Sequence, residues 1–147
     1  MSYVAQISEG DNLGSLREIY LAVSNWLSGV SPVNFKSGKV WEAIDFMPEM
    51  AGIKDSSKET PNGTEYTYQV VFLFNKQNAA LYAAMKKYVE ARGIIYCIDN
   101  NGLGRILGTP DAPVTFTYDA DTGEKYNSMN YYKIVGTWVS SEMAVVV

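Results

Sequence analysis

The side chains best suited to acid–base or metal chemistry are carboxylates, among them Glu42, Asp45, Asp99, Asp111, Asp119, Asp121 and Glu124. Two that converged in a cleft could share general acid and base roles. Nothing in their spacing brings any two together, and solvated carboxylates are the ordinary state of a soluble domain. Histidine is absent and cysteine occurs once. That removes Ser-His-Asp and Cys-His catalysis and the commonest zinc ligand. The residues therefore assign no catalytic, cofactor-binding or metal site, and the chain reads as a protein that is not an enzyme.

The stretch "YCIDNNGLGRILGTPDAP", residues 96–113, carries Gly102, Gly104 and Gly108 and resembles a phosphate-cradling loop. Such a loop needs a helix to begin at once, because the helix N-terminus and adjacent N–H groups hold the phosphate. Arg105, Ile106 and Leu107 follow instead, then Pro110 and Pro113, and the Walker lysine is missing. Calcium has two candidate places, "DNNG" at 99–102 and "DADTGE" at 119–124, where Asp119, Asp121 and Glu124 flank Gly123. Neither has the twelve-residue pattern of an EF-hand loop. Asp, Asn, Thr and Gly are also what tight turns demand, and turns are the favoured reading.

Length and composition bound the rest. The 147 residues, 47% hydrophobic and 13% aromatic, suit one domain with a substantial core. The net charge of -4, with no strong basic cluster, argues against nucleic acid as a bound partner. Cys97 lies in the apolar run 94–98, where a buried and inert thiol is expected. The N-terminus does not read as a signal peptide, and no run is long and apolar enough to span a bilayer. The expected setting is a cytoplasm, without a membrane.

The elements that would position these groups follow from periodicity. Residues 2–8 alternate loosely and could form a strand or an arm over 1–10. Leu13, Leu16, Ile19, Tyr20, Val23, Trp26 and Leu27 recur at spacings of three and four, which predicts a helix. Ser15 and Glu18 have capping-box spacing, Asp11 or Asn12 could cap it instead, and Gly29 and Pro32 would stop it. "KVWEAIDFM" at 39–47 and "EYTYQVVFLF" at 65–74 read as strands. Between them, residues 48–64 read as a long polar loop, of a length usually functional or mobile. A second helix starts at Asn75 or Asn78, buries Leu81, Met85, Tyr88 and Val89, and ends before Gly93 in the left-handed position. "GIIYCI", "RILG", "VTFTY", "NYYKIVGTWV" and "MAVVV" are short strand candidates. The sum is an α+β domain, mainly an antiparallel β sandwich or partial barrel with two helices packed against it. Tyr126, Tyr131 and Tyr132 are hard to bury together and could serve an interface.

Trp41-x-x-Ile44-x-Phe46, the Asn62-Gly63 turn, Asp99-Asn-Asn-Gly102, Arg105-x-Leu107-Gly108, Pro110-x-x-Pro113, Thr122-Gly123 and Asn130-Tyr131-Tyr132 together resemble small virion proteins of tailed phages and prophages. The resemblance spans roughly residues 40–140 and rests on turns and strands. It implies a tail structural protein, of the tube or an adjoining ring, in a virion assembled in a host bacterial cytoplasm. The implied partners are copies of itself and other tail proteins, with DNA only as passing cargo. From the residues alone, a non-catalytic carbohydrate- or calcium-binding module, built on the tyrosines and Asp-rich turns, remains the alternative.

Overall fold

The computed structural model describes Val4 and residues 13–147. The candidate arm at 1–10 thus lies outside the described residues, Val4 excepted. The elements run β1 (Leu16–Val23), a 3-10 turn (Ser24–Trp26), β2 (Leu27–Val30), β3 (Val33–Phe35), β4 (Glu42–Ile44), β5 (Ala51–Thr60) and β6 (Gly63–Phe74). After them come α1 (Ala79–Ala91), β7 (Gly93–Asp99), β8 (Gly104–Leu107), β9 (Thr115–Asp121), β10 (Tyr131–Ser140) and β11 (Val145–Val146). Strands form a five-stranded sheet ordered β11-β8-β7-β1-β4, a four-stranded sheet ordered β5-β6-β10-β9, and the β2-β3 hairpin. The chain is mostly antiparallel sheet with one α-helix among the described residues, where two were expected.

The missing helix is β1. A bulge between Leu16 and Glu18 in its pairing with β7 sets Leu16 and Ile19 on one side of the strand, three residues apart. That spacing is the same as one turn of a helix. The rest of the strand is covered on both faces, so its apolar residues do not alternate: Leu21 and Val23 join the main core while Ala22 joins a second cluster. Ser15 does not cap a helix; its hydroxyl donates to the Ala51 carbonyl at 2.9 Å. Gly29 and Pro32 belong to the β2-β3 hairpin instead of a helix stop.

The expected polar loop at 48–64 is mostly β5 and the turn into β6. Ten consecutive pairs join β5 to β6, from Ala51 opposite Phe72 to Thr60 opposite Gly63 across Pro61-Asn62. Lys54, Asp55, Ser56, Ser57, Lys58 and Glu59 carry no apolar alternation because both faces there are exposed. The ladder, and not side-chain burial, makes this segment a strand. Of the expected strand at 39–47, only Glu42–Ile44 pairs, with β1.

The main core draws Leu16, Ile19, Leu21, Ile95, Cys97 and Leu107 from the five-stranded sheet and Tyr68, Val70, Phe72, Phe116, Ile134 and Trp138 from the four-stranded one. Each such side chain contributes roughly 1.5–3 kcal/mol when fully buried. The helix adds Met85 and Tyr88, its expected stripe, and Asn78 caps it by accepting from the Leu81 N–H at 2.8 Å. The opposite face of the five-stranded sheet is sealed by the β2-β3 hairpin over Ala22, Ile94 and Ile106, with Trp41 and Tyr96 at its margin. β10 shows the simplest pattern, with Tyr132, Ile134, Gly136 and Trp138 inward and every other residue less buried.

Gly93 is needed for a reason other than the expected one. Arg92 takes the left-handed turn, with φ 62°, and Gly93 opens β7. A Cβ on Gly93 would lie 2.5 Å from the Ala22 carbonyl oxygen and against the Tyr88 and Phe116 rings. Gly52 has nothing within 4 Å of the equivalent position. Gly93→Ala is expected to cost about 3 kcal/mol, at the upper end of overpacking, whereas Gly52→Ala should stay within about 0.5 kcal/mol. Urea denaturation of the two variants checks both.

Candidate functional site

The residues singled out for chemistry do not converge. Among the described residues no three of His, Cys, Asp and Glu are grouped to hold a metal ion. Asp99 is a turn residue: one carboxylate oxygen accepts from the N–H groups of Asn101 and Leu103 at 2.9 and 3.0 Å, and the other lies 3.4 Å from Arg105. Asn100 and Asn101 reach across to Gly14 and Leu13, tying the start of the described chain to this corner. Asp121 accepts from the Gly123 N–H at 2.8 Å, and Asp119 faces Lys133 across the β9-β10 ladder. Cys97 is buried, and that burial pushes its thiol up to about 11, which keeps it protonated and inert.

The glycine-rich stretch is a corner, as the prolines imply. It leaves β7 through the 99–102 turn, returns as β8, and turns again where Gly108, at φ 91°, leads to Thr109 and Ala112, whose backbones bond each other. Trp138 fixes the corner by donating its indole N–H to the Ala112 carbonyl at 2.9 Å. No helix follows the glycines. Gly102 also holds φ 91°, with open space where a side chain would stand. Gly102→Val therefore has room but not backbone freedom, and should lose about 1–2 kcal/mol of stability, read from the denaturation midpoint.

One polar cluster is built with more care. Glu42 accepts a short hydrogen bond from the Tyr88 hydroxyl and pairs with Lys87 at 2.7 Å; Lys87 and Lys39 each lie 5.2 Å from the Trp26 ring centre. Burial pushes the Glu42 carboxyl up, but the hydrogen bonds from Lys87 and Tyr88 and the lysine charge outweigh it and hold the group below its usual range. Burial, then the bond to Glu42 and its charge, push the Tyr88 phenol far up. The cluster joins β4, α1 and the 3-10 turn, and its chemistry is that of a clasp. A carboxyl depressed in the folded state adds stability above its unfolded pKa, which disappears as pH falls through the folded value. Glu42→Gln should destabilise the protein at neutral pH, and the two proteins should converge in strong acid; urea midpoints across the carboxylate range check this.

The tyrosines form one surface feature. Tyr132 is buried, stacks on Tyr118 at 5.4 Å and meets Tyr82 edge-on at 4.6 Å. Burial, then the neighbouring phenols of Tyr82 and Tyr118, push the Tyr132 phenol up. With Lys86, Val89 and Glu90 these rings line a groove of about 290 Å³. Tyr126 is exposed and Tyr131 half-buried, so the trio expected from sequence is divided among three environments. Tyr82 and Tyr118 were missed because they stand on different elements and meet only in the fold.

The largest unused bonding capacity lies at the edges of the four-stranded sheet. Thr60 and Gly63 flank the two-residue turn, so their backbones bond each other and every second residue of β5 back to Gly52 turns to β6. Ala51, Ile53, Asp55, Ser57 and Glu59 turn outward. The Ala51 carbonyl confirms it by accepting from Ser15. Carried across β6 and β10, the same alternation points Phe116, Tyr118 and Ala120 of β9 away from the sheet, and Val114, two residues before Phe116, bonds Gly93 on that side. From Ile53 to Glu59 and from Phe116 to Ala120, no outward backbone group has a backbone partner among the described residues. The Pro61-Asn62-Gly63 turn was the legible signal for this hairpin.

No protein-family model, no curated protein and no solved structure matches the chain. No helix among the described residues is long and apolar enough to cross a membrane.

Proposed function

We propose that the protein is a structural subunit of a tailed-phage virion, in the tail tube or an adjoining ring, that works by assembling with copies of itself and not by catalysis. The observation that carries the assembly reading is the β5 edge: a ten-residue strand, exposed over most of its length, whose outward backbone groups from Ile53 to Glu59 have no backbone partner among the described residues. Such an edge templates association unless it is short, bulged, covered or charged; from Lys54 to Glu59 β5 is long, unbulged and uncovered by any described residue, and its charges, Lys54, Asp55, Lys58 and Glu59, admit only a strand that matches them. The phage assignment comes from the turn and strand pattern between residues 40 and 140. In this reading the two larger sheets, which share one apolar core, form the sandwich-like body of the subunit. The acidic balance of the chain suits a passage for DNA that must not bind it.

Because β5 contributes Ala51 and Ile53 to the core, removing residues 50–62 would unfold the sheet as well as stop assembly. Point changes on the exposed stretch are the appropriate probe. The tyrosine groove favours a second reading, a carbohydrate-binding module, since exposed phenol rings beside Lys86 and Glu90 suit a sugar face and its hydroxyls. Concentrated protein should sediment as oligomers and show rings or tubes by electron microscopy. A protein that stays monomeric at every concentration, and binds a glycan array, would replace the first reading with the second.

A further inference from the structure

Among the described residues the four-stranded sheet has two edges without a strand partner, β5 and, beyond the Gly93–Val114 bridge, β9, and their polarity, backbone alternation and charge can be compared. All pairings within it are antiparallel, so with an even number of strands its edge strands β5 and β9 run in opposite directions. A copy placed alongside in the same orientation therefore presents its β9 antiparallel to β5. No strand has to be reversed.

The faces agree as well. On the outer face β5 carries Gly52, Lys54, Ser56 and Lys58, opposite Val71, Gln69, Thr67 and Glu65 of β6. On the same face β9 carries Thr115, Thr117, Asp119 and Asp121, opposite Thr137, Val135, Lys133 and Tyr131 of β10. The outward backbone groups belong to the inner-face residues on both strands, so one register satisfies side-chain facing and hydrogen bonding together. Lys54 and Lys58 make no ion pair among the described residues.

We infer that β5 of one copy pairs antiparallel with β9 of the next, head to tail, with Lys54 opposite Asp121 and Ser56 opposite Asp119. This inference rests on the assembly reading and names its interface. The register uses β9 from Thr117 to Asp121, clear of the Val114 end, where the Gly93 bridge and the end of α1 stand on the same edge. It forms hydrogen-bonded pairs Asp55 with Ala120 and Ser57 with Tyr118, and sets Asp119 diagonally between the two lysines, within reach of long side chains. Asp121 spends one oxygen on the Gly123 N–H and keeps the other for Lys54.

The competing arrangement is two β5 strands paired about a two-fold axis. Facing residues must then share a side of the strand, which centres the pair on a residue. Centred on Ser56 it sets Lys54 against Lys58, and centred on Ser57 it sets Asp55 against Glu59. Like charges directly opposite are destabilising. Charge thus favours the heterologous contact, which closes into a ring or continues as a filament.

The test uses single cysteines in the full chain. Ser56 and Asp119 are both exposed, and in the inferred register they form a non-hydrogen-bonded pair, close enough for a disulfide. Under mild oxidation, a mixture of Ser56→Cys and Asp119→Cys proteins should form disulfide-linked dimers, and neither protein alone should. Adding Lys54→Glu and Lys58→Glu to the Ser56→Cys protein should lower the yield about tenfold. Dimers of Ser56→Cys alone would overturn the inference in favour of the two-fold pair. Rings or tubes by electron microscopy without the mixed disulfide would overturn the interface and leave the assembly reading standing. Loss of both particles and disulfide would overturn both.

Discussion

The close approach at Gly93 is the constraint on which the rest of the structure depends. Here the end of α1, the start of β7, the end of β1 and the entry to β9 occupy the space of one missing side chain. Gly93 pairs with Val23 in the five-stranded sheet and bonds both ways with Val114, which leads into the four-stranded one. With the Ala22 carbonyl where a Cβ would be, β1 and β7 can lie beside the helix terminus while Tyr88 and Phe116 close over them. The spacing between the two sheets, and with it the volume filled by Tyr68, Phe72 and Ile95, follows from that contact.

From this junction the molecule divides into a well-buried half and an open one. β7 and β1 are covered on both faces, by the main core on one side and by the β2-β3 hairpin on the other. β10 buries one face alone, and β5 beyond Ile53 buries almost nothing. Deep burial and exposed backbone are thus separated along the chain. The Glu42, Tyr88 and Lys87 clasp belongs to the buried half, where it fixes β4 to the helix. The long backbone edges without a strand partner among the described residues belong to the four-stranded sheet.

Several features were legible before the fold because they depend on neighbours in sequence. Asn78 as a cap, the Leu81, Met85, Tyr88 and Val89 stripe, the turns at 99–102 and 122–123, and the alternation of β6 and β10 all follow from local geometry. The argument that Pro110 and Pro113 leave no room for a phosphate-binding helix is local too, and Gly102 and Gly108 do serve as turn residues with positive φ. Cys97 in an apolar run was legible as a buried thiol for the same reason.

The tertiary structure decided the rest. Residues 16–27 have a spacing that a bulged, doubly covered strand shares with a helix, and only the pairing of β1 with β7 separates them. Residues 51–60 have a polar composition that a loop shares with an edge strand, and only β6 makes them a strand. Local propensity is carried by each residue and its immediate neighbours, so the sequence alone determined turns, caps and amphipathic faces. A ladder is a relation between distant segments, so strand identity at β1 and β5, the role of Gly93, and which backbone edges remain open were settled only when those segments met.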